Sequence, residues 1–364
     1  MTNFEMSIAA FIYGMADKVQ VAKRPDNLAG ERAPGELSKD VRRVLASVST
    51  CDGECSERKG RVEGGPCASK AVIGHIGRYV VSLGGAKPAK DKTPLLPSAK
   101  AEGGPEVRAA AGALGCKSES CVVGHPSLHR FVVRTAGARE GARLKAELKL
   151  NYKTPGPRES TRLLSNYNID GVLQEWASAR PDFYNFGFNM MDFERVGGSL
   201  ARVDVSRILG GGASQDLGER GGRVKRPCRT FACVLNTDVS TGRGKHWVAV
   251  FGDCRGRGAW SVEYFNSAGN PPPPPVVRWL ENASASLAAL RASHPREFGA
   301  GPARVEVLTD VRHQDSRTEC GVYVLYYIRR RLEGGGPAEF RRKVVKIPDE
   351  AMVAFRKHIF RAEG

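Results

Sequence analysis

Three short apolar runs constrain the fold of this chain most: Thr230–Asn236, His246–Phe251 and Trp260–Phe265. Each is rich in β-branched and aromatic residues and is bounded by Gly-, Asp- or Ser-containing segments, so each reads as a strand. A fourth strand reads at Arg304–Thr309. Helical stretches surround them. Ile169–Ala179 has Asn168 or Asp170 as its cap, and Val276–Ser293 follows the extended polyproline Pro271–Pro275. Cys320–Leu332 and Pro348–Phe360 complete the set. Strands and helices in this arrangement make an α+β domain, a central sheet flanked by helices.

The amino-terminal part has a different texture. Residues 1–155 are rich in Gly, Ala, Pro and Lys and poor in aromatics, and the prolines of Tyr152–Arg158 mark a boundary. This gives an amino-terminal, mainly helical arm over 1–155 and a core domain over 156–364. Within the arm, helices read near 36–48 and 68–83, and strand-like runs at Cys121–Gly124 and Phe131–Arg134. The opening residues Phe4, Ile8, Phe11, Ile12 and Met15 have amphipathic helical spacing, and the Asp and Glu beside them do not suit a secretory signal. No run of about 18 apolar residues occurs, so no membrane span is expected. Gly210–Arg226 reads as a flexible insertion. The nine cysteines are odd in number and irregularly spaced, which favours reduced thiols over a disulfide framework. The net charge of +17 fits affinity for nucleic acid or another polyanion, and equally a solubilising surface, because the basic residues are scattered.

Four residues suggest thiol chemistry. Cys320 stands at the start of a helical stretch, where unpaired N–H groups and the macrodipole favour a thiolate. Gly321 after it allows close backbone approach. Gln314, six residues earlier on a loop, can offer a side-chain amide to an oxyanion. His246 opens one strand and Asn266 ends the next, so an antiparallel pair would bring them together on one edge. Asn266 could then fix the imidazole tautomer through its carbonyl oxygen. Taken singly, a histidine at a strand start is more often structural, a buried cysteine is usually inert, and Asn266 before Ser267-Ala268-Gly269 could merely begin a turn.

The order His, Asn, Gln, Cys, with His246-Trp247 and Gln314-x5-Cys320-Gly321, resembles the Ulp1/adenovirus-protease clan of cysteine proteases. Leu164–Leu173 and Asp182–Phe186 look like the opening of the core domain in the polyprotein proteases of nucleocytoplasmic large DNA viruses, the African swine fever virus type; Leu114–Cys121 also resembles a segment of those proteins. The resemblance implies an Ulp1/adenain-like core. It implies a triad of His246, Asn266 and Cys320 with Gln314 as oxyanion donor, and Trp247 and Gly321 at the substrate. It further implies cleavage of viral structural polyproteins (capsid or core precursors) after Gly-Gly-type sites during virion maturation, in the virion and the viral factory of the host cytoplasm. No cofactor is implied; the charge makes DNA a candidate activator.

Other readings remain beside this one. Cys116, Cys121, His125 and His129 have a metal-ligand flavour, although the spacings are tighter than in a zinc finger; Cys51, Cys55 and Cys67 form a weaker set. Gly84-Gly85-Ala86 and Gly211-Gly212-Ala213 are candidate self-cleavage sites or merely flexible loops. The same four residues would also serve an isopeptidase acting on SUMO or another ubiquitin-like protein, or an acetyltransferase. A basic nucleic-acid-binding virion protein with a relict site is the non-enzymatic alternative.

Overall fold

The computed structural model describes residues 38–48, 53–57, 65–84, 104–157, 162–220, 222–341 and 346–361, so the expected helix over Phe4–Met15 lies outside the described residues. Residues Asp40–Gly364 form one compact unit. The described strands are β1 (Phe183–Met190), β2 (Ser214–Asp216), β3 (Arg223–Lys225), β4 (Thr230–Asn236), β5 (Trp247–Asp253), β6 (Trp260–Phe265) and β7 (Ala303–Leu308). Five of them form a sheet in the order β1-β4-β5-β6-β7. Its outer pairs are parallel and its inner pairs antiparallel, so the sheet is mixed.

Alternation along each strand explains why the sequence runs are apolar throughout. Ala232, Val234, Ala249, Phe251 and Phe265 enter one core cluster. Phe231, Cys233, Leu235, Val248, Val250 and Tyr264 enter the other. Side chains point to opposite faces with a period of two, and both faces are covered, so no position can be polar without a partner.

Helices supply the covers. Before the sheet come α1 (Lys39–Ala46), α2 (Lys70–Ser82), α3 (Pro105–Leu114), α4 (Glu119–Gly124), α5 (Pro126–Ala136) and α6 (Ala138–Leu150). After these come α7 (Asn166–Ala179), α8 (Pro274–Ser293), α9 (Cys320–Leu332) and α10 (Asp349–Ile359). Helix α9 lies in the cluster on one sheet face with α7 and α10, and its residues Cys320 to Arg329 are all buried. A helix apolar on every side belongs inside a core. Val41, Val44 and Val48 of α1 and the turn after it join this same cluster, whereas α2 to α6 enclose a separate one around Ile76, Val122, Leu128 and Tyr152. Helix α8 covers the other sheet face. It starts on Pro274 and Pro275, two residues before the expected Val276, because proline suits the first helical turn. Among the described residues no helix is long and apolar enough to cross a membrane.

Several expectations are corrected. Cys121–Gly124 and Phe131–Arg134 are helical, not extended. Ser118 Oγ accepts the Cys121 N–H and His125 Nδ1 accepts the Ser127 N–H, so both helices are capped, and Leu128, Phe131 and Val132 have helical spacing. Helix α7 starts at Asn166 and is capped by Ser165, with Asn168 returning a bond to the Ser165 N–H. The Gly210–Arg226 segment is not a loose insertion: β2 and β3 form a hairpin. Its buried Gln215 accepts the Asn185 N–H at 3.0 Å and donates to the Phe183 carbonyl at 3.2 Å, covering part of the sheet's β1 edge. Four cysteines are bonded rather than reduced, Cys55 to Cys67 and Cys116 to Cys121, with Cα separations of 5.2 and 5.6 Å that suit a disulfide. Cys228, Cys233, Cys254 and Cys320 are free thiols.

A buried ionic cluster ties α9 to the sheet. Arg331 donates to both oxygens of Glu263 at 2.6 and 2.7 Å and reaches Asp253 at 3.1 Å. Glu263 is 0% exposed, so its charge has no recourse to water. Replacing Arg331 by Met is expected to cost about 3–5 kcal/mol by stranding that carboxylate. Urea denaturation measures it, and an unchanged midpoint would contradict the assignment.

Candidate active site

The catalytic edge is built where β4 ends and β5 begins. Asn236, last in β4, pairs with Trp247, first in β5. The loop between them is held by side chains. Asn236 Oδ1 accepts the Asp238 and Lys245 N–H groups at 3.0 and 2.9 Å, and Asp238 Oδ2 accepts the Gly244 N–H at 3.1 Å. Gly244 has φ +89°, a conformation costly for other residues. The loop therefore delivers His246 to the strand end half-buried and in one position.

Asn266 follows the last residue of β6. Its side-chain oxygen accepts from the Ala268 N–H at 2.9 Å and lies 2.8 Å from His246 Nε2. Its amide nitrogen faces the Asn270 carbonyl at 3.1 Å and the Tyr264 hydroxyl at 3.2 Å. A backbone N–H can face only an acceptor and a backbone carbonyl only a donor, so the amide has one permitted orientation. It follows that Nε2 of the neutral imidazole carries the proton, which leaves the Nδ1 lone pair free.

Cys320 is the first residue of α9 and is 2% exposed. Burial pushes its thiol up from the ordinary value, and the Glu319 carboxylate adds to that; the N–H groups of Trp247, Gly321 and Cys320 itself act the other way. The Trp247 contact sets the sulfur beside the residue that follows His246. Burial likewise pushes the His246 imidazole down, opposed by the Asn266 hydrogen bond. Both directions favour a neutral thiol and a neutral imidazole at rest. The helix amino terminus alone suggested a lowered thiol, and desolvation outweighs it. Glu319 in turn is held by Arg356, which reaches its Oε2 at 2.9 Å inside the core.

Gln314 lies on the loop before α9 and is buried. Its Oε1 accepts the Ser267 hydroxyl at 2.8 Å, its Nε2 donates to the Ser316 carbonyl at 2.9 Å, and its backbone N–H donates to Ser267 O at 3.0 Å. One Nε2 hydrogen is left over. Asp349 at the start of α10 fixes the same loop by accepting the Asp315 and Ser316 N–H groups at 3.1 and 2.8 Å. Trp247 is turned by a bond from its Nε1 to the Leu164 carbonyl at 3.1 Å, and Phe188 meets its ring edge-on at 6.4 Å. Leu164 also presses on Gly321, where a Cβ would lie 3.0 Å from the Leu164 Cβ. Sequence reasoning missed Leu164 and Ser267. The turn expected after Asn266 is present, Gly269 N–H to Asn266 O at 3.0 Å, and it concealed the second task of Ser267.

The metal-ligand reading of Cys116, Cys121, His125 and His129 is corrected. The two thiols are bonded to each other and His125 caps α5, and among the described residues no group of three or more ligands converges.

Comparison with known proteins gives the family. Residues 233–363 match the Ulp1 protease family, C-terminal catalytic domain. The chain is 48% identical over 248 residues to a SUMO-1 cysteine protease of African swine fever virus, Pretoriuskop tick isolate, covering 68% of this chain and 84% of that protein. A cysteine protease of the Malawi tick isolate is 47% identical with the same coverage, 68% and 84%. This chain belongs to the Ulp1 family of cysteine proteases. The crystal structure of the African swine fever virus protease superposes on it with a TM-score of 0.67 at 38% identity, over 88% of this chain and 99% of the other.

For this protease a neutral resting pair has a measurable signature. Alkylation of Cys320 by iodoacetamide is expected to keep rising as pH passes 9, the ordinary thiol value, because the thiol is pushed above it. A rate that is flat from about pH 4 to about pH 8 would instead reveal a preformed thiolate–imidazolium pair.

Proposed function

We propose that this protease cleaves viral structural polyproteins after Gly-Gly-type sites during virion maturation, with Cys320, His246 and Asn266 as its triad and Gln314 as its oxyanion donor. The observation that carries the mechanism is the Asn266 amide, whose single orientation leaves His246 Nδ1 as the base. Cys320 Sγ attacks the scissile carbonyl carbon and its proton passes to Nδ1. The spare Nε2 hydrogen of Gln314 and the Cys320 backbone N–H receive the oxyanion. Collapse of the intermediate breaks the C–N bond, and the leaving amine takes the proton from Nδ1. Water, deprotonated by the same nitrogen, then hydrolyses the thioester and restores the thiol.

The substrate reading rests on the viral relatives and on crowding at the thiol. Trp247, 7% exposed, and Leu164, 3% exposed, stand over Cys320 and Gly321, which favours residues without side chains next to the scissile bond. The arm over 1–155 would help seat such a substrate, and the place of action would be the virion and the viral factory. The SUMO-1 protease name of the relatives keeps isopeptidase activity as the second reading.

Incubation with a viral core polyprotein bearing a Gly-Gly-Ala site, alongside a SUMO conjugate, separates the two. Cleavage of the polyprotein, lost in Cys320→Ala, is the expected result; cleavage of the conjugate alone would overturn the substrate reading. Gln314→Ala is expected to lower kcat about a hundredfold to a thousandfold. Ser267→Ala frees the Gln314 amide to rotate and is expected to lower kcat about tenfold with KM unchanged, which Ser267→Thr restores.

A further inference from the structure

We propose that the recess between the short helix Val205–Leu209 and the β2–β3 hairpin binds the phosphate backbone of nucleic acid. The recess measures about 490 Å³. Arg202, Arg207, Arg223 and Lys225 line it, all exposed, and the remaining lining is Val203 and the small residues Gly212, Ala213 and Ser214. The hairpin has no part in the proposed catalytic chemistry, and with its neighbours it forms this recess.

What sets these four side chains apart is that they share one recess and, among the described residues, none is ion-paired. Several arginines elsewhere are paired: Arg180 with Glu57, Arg331 with Glu263, Arg341 with Glu306 and Arg356 with Glu319. Among the described residues none of the four recess cations has a carboxylate within ion-pair distance. The nearby acids are turned to backbone groups, Asp204 to the Ser206 N–H at 2.9 Å and Asp216, the cross-strand neighbour of Arg223, to the Gly218 N–H at 2.8 Å, which leaves the four cations in excess of the two acids. Like charges gathered without counter-charge repel one another, and an anion relieves that repulsion. Three are guanidiniums, whose planar forks match phosphate oxygens two at a time. Arg223 and Lys225 are two apart on one strand, about 7 Å along it and on the same side. That suits a ligand with regularly repeated charges.

The absence of an aromatic side chain from the lining points to backbone contact rather than base stacking, and so to binding without sequence preference. The chain's 56 Lys and Arg against 39 Asp and Glu extend the attraction beyond the recess. A nucleic-acid strand brings one charge per nucleotide whatever its sequence, whereas a peptide would need an unbroken acidic run. This favours nucleic acid. The site also stands apart from the catalytic edge. The hairpin joins β1 near Phe183–Asn185, and the triad lies beyond the other end, where Met190 pairs with Asn236. Seven steps along the strand, from Phe183 to Met190, separate the hairpin side of the recess from the triad, about 20 Å; Arg202 on the other side lies nearer, because Ser199 bonds Asn189 and the Phe186 carbonyl. Bound nucleic acid would tether the protease and leave its cleft open. The inference stands whether or not the proposed substrate is correct.

The test is fluorescence anisotropy of the full-length protease with labelled single- and double-stranded DNA of about 30 nucleotides, at salt between about 50 and about 200 mM. The variants are the fourfold Arg202→Glu, Arg207→Glu, Arg223→Glu, Lys225→Glu protein and its glutamine counterpart, which keeps the shape and removes only the charge. Far-UV circular dichroism and a cooperative thermal transition, both expected to match the wild type, report that both variants are folded. Wild-type binding is expected to weaken with salt, and both variants to lose about a hundredfold in affinity and about three units of the salt slope. Equal binding by wild type and the glutamine variant would overturn the proposal. So would no DNA binding by wild type at the lowest salt, or polyglutamate binding that is stronger than DNA binding and lost in the same variants.

Discussion

The amide of Asn266 is the interaction on which the proposed active site depends. Its oxygen accepts from a backbone N–H and from His246, and its nitrogen donates to a backbone carbonyl. Because the backbone partners cannot exchange roles, the amide cannot flip, and the proton on the imidazole is assigned by the fold. An Asp in its place would add charge and draw the imidazole toward its protonated form. Asn266 orients without doing so, in keeping with a histidine pushed below its ordinary value and a thiol pushed above its own.

That amide is in turn held by the sheet. Asn266 follows β6 and His246 precedes β5, two antiparallel neighbours whose register brings those ends together. The register is protected because a slip of one residue would exchange the two apolar faces, both of which are buried. The adjoining Ser267 passes the order on to Gln314, and Asp349 holds the far side of the same loop. Trp247 links the first strand residue to Leu164, and Leu164 rests on Gly321 at the head of α9. Strand ends, loop and helix start thus form one connected unit around the sulfur.

Much of this was legible in the sequence, for a physical reason. Strands buried on both faces leave long apolar runs, so Thr230–Asn236 and Trp260–Phe265 were read with their observed bounds, as was the buried helix Cys320–Leu332. His246 and Asn266 were placed on neighbouring strand ends, and they lie 2.8 Å apart. The failures have two causes, contacts remote in sequence and local geometry that composition does not reveal. The β2–β3 hairpin is ordered by Gln215 on the edge of β1, and Gly-rich composition hides that. The arm's short Val-containing runs look extended until their caps are seen. Cysteine pairing needs distances that spacing does not supply. The rise of the thiol above its ordinary value needs its burial, which a helix-start argument omits.

The central claim is that the resting enzyme holds a neutral imidazole with its proton on Nε2 and a bare Nδ1. Nitrogen-15 NMR of His246 at neutral pH, assigned against a His246→Gln variant, reads this directly. The account predicts a protonated Nε2 and an unprotonated Nδ1. A doubly protonated ring, or a proton on Nδ1 alone, would contradict it.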